Sequence, residues 1–181
     1  MLRHGGSRAI QARQNANPEL GCTAVQRWPS PSAPASAATG TTYSPDVPFR
    51  PFNDLVDDAK RTITEIDCEE LAELLDPAND VPDLVVIDIR EADERARGHI
   101  PGSIGLPRGI LDRDIAKVVF GGAVADHQLA RPIVLCCAGG SRSALAAVSL
   151  RAMGFTNVQS LAGGFGAWGK SGRPVEHPRS H

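Results

Sequence analysis

Pro132-Ile133-Val134-Leu135-Cys136-Cys137-Ala138-Gly139-Gly140-Ser141-Arg142-Ser143-Ala144-Leu145-Ala146-Ala147 reads as a strand that breaks into a loop of small residues and resumes as a helix. Ile133 to Cys136 is short and apolar, as a buried strand is. Ala138, Gly139 and Gly140 carry little or no side chain, so the backbone there is free to curl and turn successive N–H groups inward, a nest for negative charge. The helix that follows adds its N-terminal dipole at the same place, with Ser143 expected as its N-cap. In parallel sheets, ligands bind where strands end in this way.

Outward from this unit, Leu84-Val85-Val86-Ile87 has the continuous apolar character of a strand covered on both faces, and shorter strands are expected at Ile63 to Ile66, Ser103 to Leu106 and Asn157 to Leu161. Asp67 and Glu70 form a capping box ahead of a helix whose apolar face is Leu71, Leu74 and Leu75. Gly154 is placed to end the helix that starts near Ser143, and Gly172 to end a last helix carrying Trp168. Strands alternating with helices imply an α/β domain, a parallel sheet wrapped by helices, over residues 52–176. Residues 110–128 read as one helix or as a helix and a loop, since Val118-Val119-Phe120-Gly121-Gly122 breaks the pattern, and a lid over the pocket is conceivable there.

Residues 1–51 are expected to be an unfolded tail, and residues 177–181 a short C-terminal one. The first 45 residues hold Arg3, Arg8, Arg13 and Arg27 against one acid, Glu19, and run into the Pro/Ser/Ala stretch Pro29 to Ser36. Such composition does not bury enough apolar surface to fold. It is also the composition of an organelle transit peptide, so the expected compartment is the cytoplasm, with a mitochondrion or plastid as the alternative.

The 19 basic and 21 acidic side chains give a formal net charge of −2, and over residues 46–118 they are interspersed, so no field builds up to hold nucleic acid or an anionic membrane. Aromatic residues make up 4% of the chain, too few for a base-stacking platform. No apolar run approaches the roughly 20 residues of a membrane helix. Cys22, Cys68, Cys136 and Cys137 have neither zinc-site spacing nor the pattern of a secreted disulfide framework, and read as reduced thiols with no metal. The partner expected on these grounds is a small molecule or another protein.

Cys137, at the floor of the nest, is the candidate nucleophile, because a helix N-terminus and a neighbouring guanidinium both favour the thiolate. Arg142 offers planar charged donors to an oxyanion, and Ser141 and Ser143 add hydroxyls. Adjacent strand residues point to opposite faces, so Cys136 is assigned to packing. Asp88 is expected to fix the loop after its strand; Arg90 either lines the pocket or shares that structural role. His99, in a Gly/Pro turn, is read as a hydrogen-bonded turn residue rather than a base.

Cys137-Ala138-Gly139-Gly140-Ser141-Arg142-Ser143 resembles the active-site loop of the rhodanese family, Cys-x-x-Gly-x-Arg-Ser. Asp88-Ile89-Arg90-Glu91, Gly98-His99-Ile100-Pro101-Gly102-Ser103 and Leu161-Ala162-Gly163-Gly164-Phe165-Gly166-Ala167-Trp168 resemble its other landmarks, in the family's order, with Ser103 where the family has Ala. The resemblance covers about residues 62–176. It implies a five-stranded parallel sheet with helices on both faces, and a thiosulfate-type sulfurtransferase that cycles through a Cys137 persulfide without metal or organic cofactor. It further implies that the amides from Ala138 through Gly139, Gly140, Ser141 and Arg142 to Ser143 hold the outer sulfur, that Arg142 meets the donor's sulfonate, and that a thiol, cyanide or a protein accepts the sulfur.

Two other readings stand beside it. Counted from Cys136, the loop is a Cys-x5-Arg phosphate loop of a phosphatase or arsenate reductase. Counted from Cys137, four residues precede Arg142, a ring suited to one sulfur atom. The other is a non-catalytic docking module, which would be expected to have lost either the nucleophile or the loop arginine.

Overall fold

The computed structural model describes residues 48–79 and 81–178. The tails expected at 1–51 and 177–181 therefore lie outside the described residues, except for 48–51 and 177–178.

Five strands, β1 (Thr64–Ile66), β2 (Val85–Asp88), β3 (Ile104–Gly105), β4 (Ile133–Cys136) and β5 (Val158–Leu161), form one sheet in the order β1-β5-β4-β2-β3. Every pairing is parallel. The helices are α1 (Phe52–Thr62), α2 (Cys68–Leu75), α3 (Ala92–Ala96), α4 (Arg108–Phe120), α5 (Ser141–Ala152) and α6 (Gly164–Lys170). The expected strands are all present, β3 as the shortest.

A parallel sheet needs cover on both faces, and the alternation of side chains along β4 supplies two cores. Ile133, Leu135 and Cys137 join Val85 and Ile87 under α4 and α5, where Leu111, Ile115 and Leu150 are fully buried. Val134 and Cys136 point the other way, to Leu71 of α2 and Trp168 of α6. The Asp67 capping box opens α2 as read, its carboxylate accepting from Glu69 N–H at 2.8 Å and Glu70 N–H at 2.9 Å.

After β2 the chain moves to β3 on one side, and after β4 it moves to β5 on the other. The crevice between the carboxyl ends of β2 and β4 is therefore a topological switch point, the place where open α/β sheets bind ligands. The register sets Asp88 beside Cys136, so the loops that follow them meet.

One local expectation is corrected, and one alternative is decided. Helix α5 starts at Ser141, with Gly140 as its N-cap at φ 92°, so Ser143 lies inside the first turn rather than capping it. Residues 110–128 are a helix ending on the left-handed Gly121, a loop, and a 3-10 turn over Asp126–Ala130. That segment delivers the chain to the amino end of β4, whereas Cys137 follows its carboxyl end. The four-residue strand separates those two ends by roughly 13 Å, while α4 itself begins at the carboxyl end of the sheet, where Arg108 N–H donates to the Ile89 carbonyl at 3.0 Å. Among the described residues, no helix is long and apolar enough to cross a membrane.

Candidate active site

The loop from Cys137 to Gly140 wraps around the Cys137 sulfur. Gly140 N–H donates to Sγ at 3.1 Å. The Ser143 hydroxyl lies 3.4 Å from the same sulfur and 3.1 Å from the Gly140 carbonyl oxygen, and it accepts from Ser160 Oγ at 2.9 Å. Ser143 and Ser160 are both fully buried, so this short relay fixes the floor of the loop. Among the described residues, the N–H groups of Ala138, Gly139, Ser141, Arg142 and Ser143 have no protein acceptor. Backbone donors left without acceptors at the start of a helix favour negative charge there.

The closing glycines hold this loop from behind. Phe165 N–H donates to the Cys137 carbonyl at 2.7 Å, and Gly166 N–H to that of Ala138 at 2.9 Å. A Cβ on Gly140, which has φ 92°, would lie 3.1 Å from Gly163 N, so the two glycine turns approach backbone to backbone.

Cys136 occupies the other core, its thiol against the Cys137 carbonyl oxygen at 3.4 Å, and burial pushes its pKa far up. Of the adjacent pair, only Cys137 has its sulfur in the cradle. Cys68 is the first residue of α2 and packs against the same core as Cys136.

Asp88 and Arg90 form an ion pair at 2.7 Å with side chains 2% and 4% exposed. Arg90 also donates to the Gly98 carbonyl at 2.7 Å and stacks 4.0 Å above the Phe165 ring. Arg95 joins from α3, reaching Asp88 at 3.2 Å and Ser103 Oγ at 2.8 Å. These groups brace the turns around the crevice and make no contact with the Cys137 sulfur. His99 pairs with Glu176 through both main chains, and burial lowers its pKa; its Nε2 lies 3.6 Å from the Glu176 carboxylate, and its buried Nδ1 has no hydrogen-bond partner among the described residues.

Glu94 is the site residue that sequence reading missed. Arg142 Nη1 and Nη2 donate to its two carboxylate oxygens at 2.9 and 2.7 Å. The hydrogen bond from Arg142, above all, holds the Glu94 carboxyl down at about 2. A partner 48 residues away leaves no local signal, although the Glu91 to Glu94 spacing at the start of α3 marked a helix N-terminus.

With this geometry in place, comparison with known proteins is specific. The model of the Rhodanese-like domain matches residues 67–171. A sulfurtransferase of Allochromatium vinosum is 31% identical over 116 residues, 64% of this chain and 97% of the relative. Thiosulfate sulfurtransferase GlpE of Pseudoalteromonas translucida is 35% identical over 49% of this chain and 76% of its own length. Among solved structures, a Rhodopseudomonas palustris protein of unknown function, described as a possible tyrosine phosphatase, superposes with TM-score 0.59 at 31% identity. That match covers 74% of this chain and all of the other.

Proposed function

The chain belongs to the rhodanese-like domain family, and on that premise we propose that it is a sulfurtransferase in which Cys137 carries the transferred sulfur as a persulfide. The observation that carries this reading is the Cys137 sulfur held by Gly140 N–H at 3.1 Å, in a loop whose other N–H groups have no protein acceptor among the described residues. In the first half-reaction the Cys137 thiolate attacks the outer sulfur of thiosulfate or a related donor. The donor's S–S bond breaks, and sulfite leaves with the electron pair. The negative persulfide sulfur then rests on the amides from Ala138 to Ser143, which are preorganised for it. In the second, a thiol, cyanide or a protein thiolate attacks that outer sulfur and Cys137 leaves as the thiolate. Two displacements replace one difficult transfer, and no metal or organic cofactor is required. Reduced-thiol chemistry of this kind suits the cytoplasm or an organelle matrix.

The phosphatase reading draws on the description of the Rhodopseudomonas relative and on counting from Cys136. It requires a nucleophile whose thiol faces the core under α2 and α6, and whose pKa burial raises. The retained pair of Cys137 and Arg142 speaks for chemistry over a docking module.

The test is intact-protein mass spectrometry of wild type and Cys137→Ala, incubated with thiosulfate without reductant and then with cyanide. Wild type should gain one sulfur, about 32 Da, which cyanide removes; the alanine variant should not. A gain that survives in Cys137→Ala, or aryl phosphatase activity abolished by Cys136→Ser alone, would overturn the proposal.

A further inference from the structure

We infer that Glu94 selects the sulfur donor: by holding Arg142 in a two-pronged ion pair at the mouth of the Cys137 loop, it favours monoanionic donors over dianions such as thiosulfate. The inference rests on the reading of Cys137 as the reacting sulfur and assigns that site its substrate class.

Glu94 comes from α3, after β2, and Arg142 from the first turn of α5, after β4, so the pair spans the crevice at the switch point. Both terminal nitrogens of Arg142 are engaged, at 2.9 and 2.7 Å. The side chains remain 35% and 27% exposed, so an arriving donor can meet them. Glu94 is itself held in place: its Oε2 accepts from Glu91 N–H at 3.1 Å, and its carbonyl oxygen accepts from Arg90 Nη1 at 3.3 Å. A carboxylate fixed in this way competes for the guanidinium as an intramolecular ligand, which a free sulfonate displaces only at high concentration.

The charges around the mouth sum to little. Glu94 cancels Arg142, Arg90 and Arg95 share Asp88, and Glu91 adds a negative charge close enough to act on Arg142. A dianion therefore meets no net positive charge from these side chains. The backbone amides at Cys137 still receive the single negative charge of a persulfide-like sulfur.

Two isosteric donors isolate the effect. Thiosulfate and methanethiosulfonate present the same outer sulfur, and replacing one oxygen by methyl reduces the charge from two to one. The experiment measures kcat/KM for both donors with wild type and E94Q. The ratio of thiosulfate to methanethiosulfonate should rise by about tenfold in E94Q, through a lower thiosulfate KM. The rise should shrink when salt is raised to about 1 M, a response that a packing defect would not give. An unchanged ratio overturns the inference.

A second readout avoids sulfur transfer altogether: the alkylation of Cys137 by anionic iodoacetate relative to neutral iodoacetamide. This ratio should rise in E94Q and fall in Arg142→Gln, where Glu94 is left uncancelled; Arg142→Gln alone decides the matter if E94Q does not fold. If the alkylation ratios move as stated while neither donor loads sulfur, the sulfurtransferase reading fails and the charge selection at Cys137 stands. If the donors load and neither ratio moves, the selection fails and the sulfurtransferase reading stands.

Discussion

Gly164 packs against the Cys137 carbonyl oxygen so closely that a Cβ at this position would overlap it, and would also lie 2.8 Å from the Ala138 carbonyl carbon. The glycine pair at the start of α6 is therefore part of the wall of the Cys137 loop. Gly164 has φ 57°, a conformation that an L side chain adopts at a cost.

Gly164→Ala should thus combine left-handed strain with a clash against backbone that cannot swing aside. Stability should fall by about 2–4 kcal/mol, read as a lower urea midpoint, and sulfur loading should slow because the clash displaces Cys137. A midpoint and loading rate equal to wild type would mean that the two turns are farther apart in solution.

Asp88→Ala leaves the Arg90 guanidinium, 4% exposed, without its carboxylate. Removing one partner of a buried ion pair typically costs about 3–5 kcal/mol, because the remaining charge stays buried. Urea unfolding should show a lower midpoint at an unchanged m value. Asp88→Asn keeps an acceptor for the Arg90 donors and should lose less. Equal losses in the two variants would show that packing, rather than charge, is what Asp88 contributes.

The Glu94 carboxyl, held by Arg142 at about 2 against an ordinary 4.5, makes the acid limb of stability testable. Between these values the unfolded chain binds a proton that the folded chain does not. The contribution of the pair is therefore complete above pH 4.5 and is lost as pH falls toward 2. The melting temperature of E94Q should accordingly vary less steeply with pH across this window than that of wild type. Parallel curves would mean that the ion pair does not persist in solution.

What could be read in the sequence divides along physical lines. Asp67 with Glu70 announces α2 because both halves of a capping box lie within one turn. Cys136 and Cys137 separate onto opposite faces because strand side chains alternate. Helix α1 was not read as a separate element: Pro51 precedes it and no side chain caps it. Ser143 was misplaced because a favoured capping residue stands three positions after Gly140, which takes φ 92° as the cap and sets the helix start three residues earlier than a serine cap would. The Glu94 and Arg142 pair was invisible because it depends on β2 and β4 lying side by side, and only the folded sheet supplies that.

The opposed orientation of the two adjacent cysteines yields the last prediction. Cys136 and Cys137 are each 1% exposed, but Cys136 lies among Val86, Val134, Leu161 and Trp168, where burial pushes its pKa up, whereas the Cys137 sulfur accepts from Gly140 N–H at the start of α5. Serine in place of Cys136 puts a hydroxyl in an apolar core, at a cost of about 1–3 kcal/mol, and should leave sulfur loading on Cys137 intact wherever the protein is folded. Cys137→Ser puts its hydroxyl where Gly140 N–H and Ser143 already supply partners, so stability should change little while loading disappears. Alkylation by iodoacetamide at pH 8, mapped by peptide mass spectrometry on the folded protein, should label Cys137 and spare Cys136. Labelling of Cys136 at a comparable rate would mean that the strand end is frayed in solution, and would reopen the counting of the loop from that residue.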